Sequence, residues 1–299
     1  MPIPFLKGSL VALVTPFKSG NVDYAALEAL VDFHVREGTS AVCPCGTTGE
    51  SPTLSHEEHR EIVRSVVKFA AGRIRVVAGS GSNSTRETID LTIHAEKAGA
   101  DAALVITPYY NKPNFDGLRA HFKLIAAATR IPIILYNVPG RTALNVTPEQ
   151  VAILAEEARI GAVKEASGNV EQATRIRSLC DVTILSGDDA LTLPMMSIGA
   201  TGVISVAANV APRKTANLVA RALKGDYAGA RRLHYELLPL FKACFLETNP
   251  IPIKAMMEMA GLCACDLRLP LGPLSKTNRE ACRGVLASMG LLNKKARRR

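Results

Sequence analysis

A lysine interrupts one of the most apolar segments of the chain. Lys164 lies in the segment 160–166 (IGAVKEA), which otherwise has the composition of a buried strand. Burying an ammonium group without partners is costly, so this position favours the neutral amine, which attacks carbonyl groups to form a Schiff base. Position alone leaves two structural explanations open, because the lysine head could reach solvent or could pair with Glu165.

Other reactive side chains follow apolar runs at their carboxyl ends. Thr47 and Thr48 lie in a GTTG turn whose N–H and hydroxyl groups suit a carboxylate or a phosphate, although an ordinary strand-to-helix turn fits equally. Tyr136 and Tyr110 could relay a proton, but packed tyrosine rings are commoner. Arg141 follows a Pro-Gly pair and could bind a substrate carboxylate through two hydrogen bonds, or could be a surface arginine.

Eight short runs rich in Val, Ile, Leu and Ala supply the elements that would position these residues. The runs begin near Ser9, Ala41, Ile74, Ala102, Ile131, Ile160, Val182 and Gly202. They are continuous rather than alternating, which is typical of buried parallel strands. With the amphipathic segments between them they predict an α/β protein, a (β/α)8 TIM barrel. A doubly wound open sheet is the alternative, but no G-x-G-x-x-G follows the first run.

Sequence signals for helix starts lie between the predicted strands, and after the last strand only helices are predicted. Asp23 and three capping boxes, Ser55-x-x-Glu58, Ser84-x-x-Glu87 and Thr147-x-x-Gln150, predict helix starts. After Gly225 only helices are predicted, over 226–247, 251–261 and 275–289. We therefore expect a catalytic barrel over residues 1–225 and a small C-terminal helical domain with a basic tail over residues 226–299.

Composition excludes several classes of protein. The net charge of +9 owes five basic residues to the tail 294–299, and with 5% aromatic residues and no tryptophan we expect no nucleic-acid binding. No apolar stretch approaches the roughly 18 residues of a membrane span, and the N-terminus has no export signal. Seven scattered cysteines without zinc-ligand spacing predict reduced thiols, no metal and a cytoplasmic location.

Six segments in order resemble the dihydrodipicolinate synthase and N-acetylneuraminate lyase family of pyruvate-dependent class I aldolases. The resemblance runs through essentially the whole chain. Its carriers are GTTGES at 46–51, TPYYN at 107–111, YNVPGRT at 136–142, GAVKE at 161–165, SGDD at 186–189 and NPIPIK at 249–254.

The resemblance implies a barrel in which Lys164 forms an imine with pyruvate, without a cofactor. The imine would lose a proton, and the resulting enamine would attack an aldehyde. Thr47 and Thr48 would hold the pyruvate carboxylate. The resemblance further implies pocket-lining roles for Gly187 and Ile204, proton transfer by Tyr136 through Thr47 to Tyr110, and delivery of Tyr110 by a neighbouring subunit of a dimer within a homotetramer.

Two features favour the synthase branch of the family. Thr47-Thr48 stands where the lyases carry Ser-Thr, and Arg141 offers a guanidinium to an anionic acceptor. The expected reaction joins pyruvate and L-aspartate 4-semialdehyde to give 4-hydroxy-tetrahydrodipicolinate in lysine (diaminopimelate) biosynthesis. The alternatives are another pyruvate-dependent aldolase or dehydratase, such as a sialic acid lyase, and a non-catalytic anion-binding or nucleic-acid-binding protein.

The resemblance also implies a second site, at which free lysine would inhibit the enzyme. The matching positions are Ser51, His56, His59, Asn83, Glu87 and Tyr109. Tyr109 adjoins Tyr110, which would link the two sites. Alternatively, His56 and His59 lie three residues apart on a capped helix and could both be surface residues.

Cys43-Pro44-Cys45 departs from the aliphatic strand that the family pattern leads us to expect. A proline within a strand removes a ladder hydrogen bond, so we expect disturbed strand geometry here. Cys45 could also make the enzyme sensitive to thiol reagents.

Overall fold

The computed structural model describes residues 2–293, so the basic tail 294–299 and any role of it lie outside the described residues. Within them, eight parallel strands close into a barrel in chain order, which confirms the predicted fold. The strands are β1 (Gly8–Ala12), β2 (Ala41–Cys43), β3 (Arg75–Gly79), β4 (Ala102–Ile106), β5 (Ile133–Asn137), β6 (Ala162–Glu165), β7 (Thr183–Ser186) and β8 (Gly202–Ser205). Each begins close to its predicted position.

Helices follow every barrel strand. They are α1 (Tyr24–Glu37), α2 (His56–Ala70), α3 (Thr85–Ala98), α4 (Phe115–Ala128), α5 (Pro139–Thr142), α6 (Pro148–Glu157), α7 (Val170–Leu179), α8 (Thr192–Ser197) and α9 (Pro212–Leu223). Three more come after the barrel: α10 (Tyr227–Ala243), α11 (Ile251–Ala260) and α12 (Lys276–Ser288). The helix predicted over 226–247 is thus shorter than expected. No helix within residues 2–293 has the length and apolarity needed to cross a membrane.

The predicted helix starts are largely correct. Asp23 accepts a hydrogen bond from the N–H of Ala26, and the capping boxes that begin α2 and α6 are both reciprocal. The box predicted at Ser84 is wrong in one half. Ser84 caps α3, but the Glu87 carboxylate does not return to it and instead contacts the Ser82 hydroxyl and His56.

Alternation along the strands sorts the apolar residues into two clusters. Residues such as Leu10, Ile134 and Ile204 fill the barrel interior, while Val11 and Val163 face the surrounding helices. The outer cluster continues into the C-terminal helices, for example at Leu237, Leu240 and Met256. The division at residue 225 stays a prediction, since this core runs across it without interruption.

Candidate active site

Lys164 and Tyr136 lie side by side on neighbouring strands. They are register partners between β5 and β6, and Lys164 Nζ lies 4.0 Å from the centroid of the Tyr136 ring. Lys164 is only 6% exposed and borders a cavity of about 140 Å³ at the carboxyl end of the barrel. Both structural explanations that the sequence left open for Lys164 are wrong. The lysine head lies in the cavity rather than out in solvent. The Glu165 carboxylate does not pair with it and accepts its hydrogen bonds from Asn137, Ser167 and Gln172.

Most of the predicted substrate residues meet in the wall of this cavity. Those that line it are Lys164, Tyr136, Thr47, Thr48, Arg141 and Gly187. Gly187 has to be small, because a Cβ there would lie 3.2 Å from Lys164 Cε and 2.6 Å from the Ala166 Cβ. Ile204 is not in the lining. It is fully buried in the barrel interior, since its place within β8 sets its side chain among the core residues.

The turn that carries Thr47 and Thr48 is closed by its own backbone. Gly49 N–H donates to Gly46 O at 3.1 Å and Glu50 N–H donates to Thr47 O at 3.1 Å. A Cβ on Gly49 would lie 3.1 Å from both Leu13 O and Cys45 N, so the close approach of these backbone segments favours glycine. The turn is thereby presented to the cavity beside Lys164.

A buried ion pair anchors the end of this turn. Lys254 Nζ lies 2.5 Å from Glu50 Oε1, 2.6 Å from the backbone oxygen of Asp266 and 4.2 Å from the centroid of the Phe17 ring. The second Glu50 oxygen accepts the N–H of Arg268 at 3.1 Å. Burial lowers the pKa of Lys254, and the negative charge of Glu50 opposes that shift. Sequence reasoning noted both residues within family motifs but did not pair them.

Asn249 joins the two predicted carboxylate-binding residues and was not singled out from the sequence. Its Nδ2 donates to Thr48 Oγ1 at 3.0 Å, and its backbone oxygen accepts from the Arg141 guanidinium at 3.2 Å. Asn249 is buried and lines the cavity, while Arg141 is exposed at its edge. The C-terminal segment therefore completes the wall of a barrel site.

The predicted proton relay is not assembled among residues 2–293. No hydrogen bond between described residues joins Thr47, Tyr136 and Tyr110, although Thr47 and Tyr136 border the same cavity. Tyr110 is 90% exposed and has a φ of 70°, a backbone conformation that is uncommon outside glycine. Its side chain lies in solvent, so its role stays a prediction.

A second cavity, of about 350 Å³, lies beside the first. Its lining contains the predicted lysine-site residues Ser51, His56, His59, Glu87 and Tyr109. Asn83 is outside the lining, and its backbone oxygen accepts from Asn111 Nδ2 at 2.9 Å. The two cavities share Gly46, Thr47, Leu104 and Tyr136, so Thr47 and Tyr136 contact both spaces.

Glu87, His56 and His59 lie together in the lining of the second cavity. His56 Nε2 lies 3.3 Å from Glu87 Oε1 and is exposed, as a surface residue would be. His59 is 5% exposed, so the surface alternative is wrong for it. Burial lowers the pKa of His59 to about 4. At neutral pH the cavity therefore combines a carboxylate with a neutral, buried imidazole.

Cys43 and Cys45 stand on either side of Pro44, one in the wall of each cavity. Strand β2 ends at Cys43, so Pro44 costs no ladder hydrogen bond, and its oxygen accepts from Gly79 N–H at 2.9 Å. The backbone nevertheless leaves the extended conformation directly after Pro44, since Cys45 has a φ of 56°. Burial raises the pKa of both thiols, that of Cys43 to about 12. Within residues 2–293 no group of three or more His, Cys, Asp or Glu side chains could hold a metal ion.

Comparison with known proteins places the whole chain in one family. The model of the dihydrodipicolinate synthetase family matches residues 5–289. A curated relative from Thermodesulfovibrio yellowstonii, named 4-hydroxy-tetrahydrodipicolinate synthase, is 52% identical over 288 residues, covering 96% of this chain and 99% of the relative.

Solved structures agree with the sequence comparison. The crystal structure of dihydrodipicolinate synthase from Aquifex aeolicus matches with a TM-score of 0.95 and 50% identity, covering 97% of this chain and all of that one. The enzyme of Cyanidioschyzon merolae with lysine bound matches with a TM-score of 0.93 and 42% identity, covering 96% and 99%. These findings confirm the resemblance carried by the six sequence segments. The chain belongs to the dihydrodipicolinate synthetase family.

Proposed function

We propose that this chain is a lyase that condenses pyruvate with L-aspartate 4-semialdehyde to give 4-hydroxy-tetrahydrodipicolinate. The observation that carries the proposal is the Lys164 amine, which lies in a small cavity beside the Tyr136 ring. Family membership and a half-identical relative named for this product support the assignment. The reaction belongs to lysine biosynthesis.

The chemistry begins at Lys164 Nζ. The amine attacks the keto carbon of pyruvate, and loss of water gives an imine. The positive imine nitrogen then draws electrons as a proton leaves the pyruvate methyl group, giving an enamine. Its methyl-derived carbon forms a bond to the aldehyde carbon of the second substrate, the aldehyde oxygen takes up a proton, and the imine to Lys164 forms again. The amino group of the second substrate then attacks the imine carbon and displaces the Lys164 amine, which closes the ring of the product and frees the enzyme. Tyr136, adjacent to Lys164, is placed to move these protons.

The cavity walls suit two carboxylates. Thr47 and Thr48 offer hydroxyl groups and turn N–H groups to the pyruvate carboxylate, while Gly187 leaves room beside Lys164. Arg141 lies at the edge of the cavity, where its guanidinium can bind the carboxylate of the semialdehyde. Ile204 does not line the cavity and would support it only as part of the packed barrel interior.

We propose further that Tyr110 serves a neighbouring subunit of a dimer within a homotetramer. A tyrosine that is 90% exposed on a strained backbone is unusual in an isolated chain, and a second copy would cover it. The relay from Tyr136 through Thr47 would then be completed across the interface.

Free lysine is the proposed inhibitor, bound in the second cavity. Glu87 supplies a carboxylate for its ammonium group, and a relative of known structure has lysine bound. The shared contacts of Thr47 and Tyr136 offer a physical link to the catalytic cavity. We place the enzyme in the cytoplasm, since its seven unpaired cysteines suit a reducing compartment.

Two measurements on the purified protein test the reaction. Borohydride reduction in the presence of pyruvate should attach the substrate covalently to Lys164, as seen by peptide mass spectrometry, and Lys164→Ala should abolish the adduct. The condensation rate, coupled to a downstream reductase that consumes reduced nicotinamide cofactor, should reach about 1–1000 per second at saturation. An adduct without turnover would keep the Schiff base but reject the semialdehyde as acceptor.

A further inference from the structure

The two strands that carry Tyr136 and Lys164 are also joined on their outer side. Asn137 and Glu165 directly follow these residues and are register partners in turn. Because consecutive strand residues face opposite sides of the sheet, Asn137 and Glu165 point away from the cavity. Asn137 Nδ2 donates to Glu165 Oε2 at 3.0 Å, back to back with the contact between Lys164 Nζ and the Tyr136 ring.

Glu165 is a buried carboxylate surrounded by donors. It is 2% exposed, and its hydrogen bonds within residues 2–293 come from neutral donors. Its Oε1 accepts the N–H of Ser167 at 2.8 Å, and its Oε2 accepts from Asn137 and from Gln172 Nε2 at 3.3 Å. All three partners donate N–H groups, so the two oxygens of a carboxylate can accept from all of them. A glutamine at position 165 would instead point its own NH2 group at one of these donors and leave that donor without an acceptor.

Asn137 is held just as firmly. Its Oδ1 accepts the N–H of Val146 at 3.0 Å, and its Nδ2 also contacts Asn145 Oδ1 at 2.9 Å. Asn145 is in turn joined to Gln172 of α7 by hydrogen bonds of 2.9 and 3.1 Å. The ends of β5 and β6 are thereby fixed to each other, to the loop before α6 and to α7.

We propose that the Glu165–Asn137 hydrogen bond positions Lys164 and Tyr136 for imine and enamine formation. The inference rests on the proposed function, and it assigns Glu165 and Asn137 as positioning residues that do not touch the substrate. A shift of either strand end would change the approach of the amine and the tyrosine hydroxyl to the same pyruvate carbon. Misplacement of reacting groups by about 1 Å can lower a rate about 100-fold.

The test substitutes Glu165→Gln, Asn137→Asp and both together in the full chain. Each single change should lower kcat and the rate of borohydride-trapped adduct formation by about 10- to 100-fold. The KM for pyruvate should change by less than about 3-fold, because the turn with Thr47 and Thr48 lies on another strand. In the double variant the new amide can donate to the new carboxylate, so both rates should recover at least about 10-fold from the Glu165→Gln values.

Asp101→Asn is the matched control. Its carboxylate accepts the N–H of Val76 at 2.8 Å and so also joins two neighbouring strands, but at the opposite end of the barrel. It should lower Tm without lowering the rate of adduct formation. If Asp101→Asn slows adduct formation as much as Glu165→Gln does, general loosening of the barrel explains the effect and the positioning role is overturned.

Three further results decide the proposal. Wild-type rates in Glu165→Gln overturn it, as does a double variant that regains Tm but not adduct formation. If Glu165→Gln does not fold, Gln172→Met removes the weakest of the three Glu165 donors together with the two hydrogen bonds to Asn145 that help to hold Asn137, and kcat should fall about 3-fold. An unchanged kcat in that variant overturns the proposal. A wild-type protein that forms no pyruvate adduct rejects the proposed function itself, and the positioning role with it.

Discussion

The ammonium group of Lys254 lies 2.5 Å from a carboxylate oxygen of Glu50, and neither side chain is exposed to solvent. Glu50 directly follows the turn that presents Thr47 and Thr48 to the cavity, and it adopts a φ of 55°. The pair therefore connects helix α11 to the proposed pyruvate-binding turn.

Lys254→Met should destabilise the protein by about 3–5 kcal/mol, because it leaves the Glu50 charge buried without its partner. The free energy of unfolding, measured by urea titration, checks this value. The free energy of unfolding should fall less in the double variant Lys254→Met/Glu50→Gln than in Lys254→Met, since no uncompensated buried charge remains. A double variant less stable than the single one would contradict this explanation.

Arg141→Ala should lower kcat/KM for the semialdehyde by about 30- to 1000-fold, the effect of losing charge-assisted hydrogen bonds worth about 2–4 kcal/mol. Pyruvate adduct formation, which occurs at Lys164, should be far less affected. Arg141→Lys keeps the charge but cannot form a bidentate hydrogen bond, so its kcat/KM should lie between those of the wild type and Arg141→Ala. Equal losses in both assays would mean that Arg141 supports the site as a whole rather than the acceptor.

Lysine should inhibit the initial rate, and Glu87→Gln should raise the concentration needed for half inhibition by about 10- to 100-fold. The carboxylate is the expected partner of the ligand ammonium, and an amide provides a weaker, uncharged acceptor. Each variant's rate without lysine is its own reference. A flat titration of the wild-type protein up to millimolar lysine, the order of a weak Kd, would remove the proposed inhibitory site.

Buried thiols should make the enzyme resistant to alkylation, contrary to the expectation drawn from the sequence for Cys45. Burial raises the pKa of Cys43 to about 12 and raises that of Cys45, so both are protonated thiols at pH 8. Three cysteines are partly exposed, Cys180, Cys263 and Cys265, and burial raises the pKa of the last two. Iodoacetamide should therefore modify Cys180 first, with activity retained. Peptide mass spectrometry over time checks the order, and early Cys45 modification with loss of activity would restore the original expectation.

Acid should weaken the fold through His34. Its side chain is fully buried against Thr39, and burial lowers its pKa from 6.5 to about 3. The unfolded chain therefore binds a proton below pH 6.5 that the folded chain does not, and stability falls as the pH drops from 6.5 toward 3. This residue accounts for about 2 kcal/mol of loss between pH 8 and pH 5.

His34→Gln tests this pH dependence because it removes the titrating group. The variant should be less stable at pH 8, yet its free energy of unfolding should decline less between pH 8 and pH 5 than that of the wild type. Parallel curves for the two proteins would assign the acid sensitivity to other groups, of which His59 and His121 also have a pKa lowered to about 4.

Local sequence rules located much of this site, and non-local contacts supplied the rest. Runs of apolar residues fixed the barrel strands, and a lysine within such a run identified Lys164. The partner of Glu50 could not be found this way, because nothing near Glu50 in the sequence indicates Lys254. The Ser84 capping box failed because two other groups bind the Glu87 carboxylate: the nearby Ser82 hydroxyl and His56, which is distant in the sequence. Neither the sequence nor the structure of a single chain can test the role of Tyr110, because its proposed environment includes a second subunit.

The proposed pyruvate-binding turn depends on residues that are synthesised long after it. Thr48 is held by Asn249, 201 positions later, and Glu50 by Lys254, 204 positions later. A ribosome adds about 5–20 residues per second, so Asn249 and Lys254 are synthesised many seconds after the turn that they hold. Nascent chains that stop before these residues would carry all eight barrel strands but an unfinished substrate site. Catalytic competence should therefore be among the last properties this chain acquires during translation.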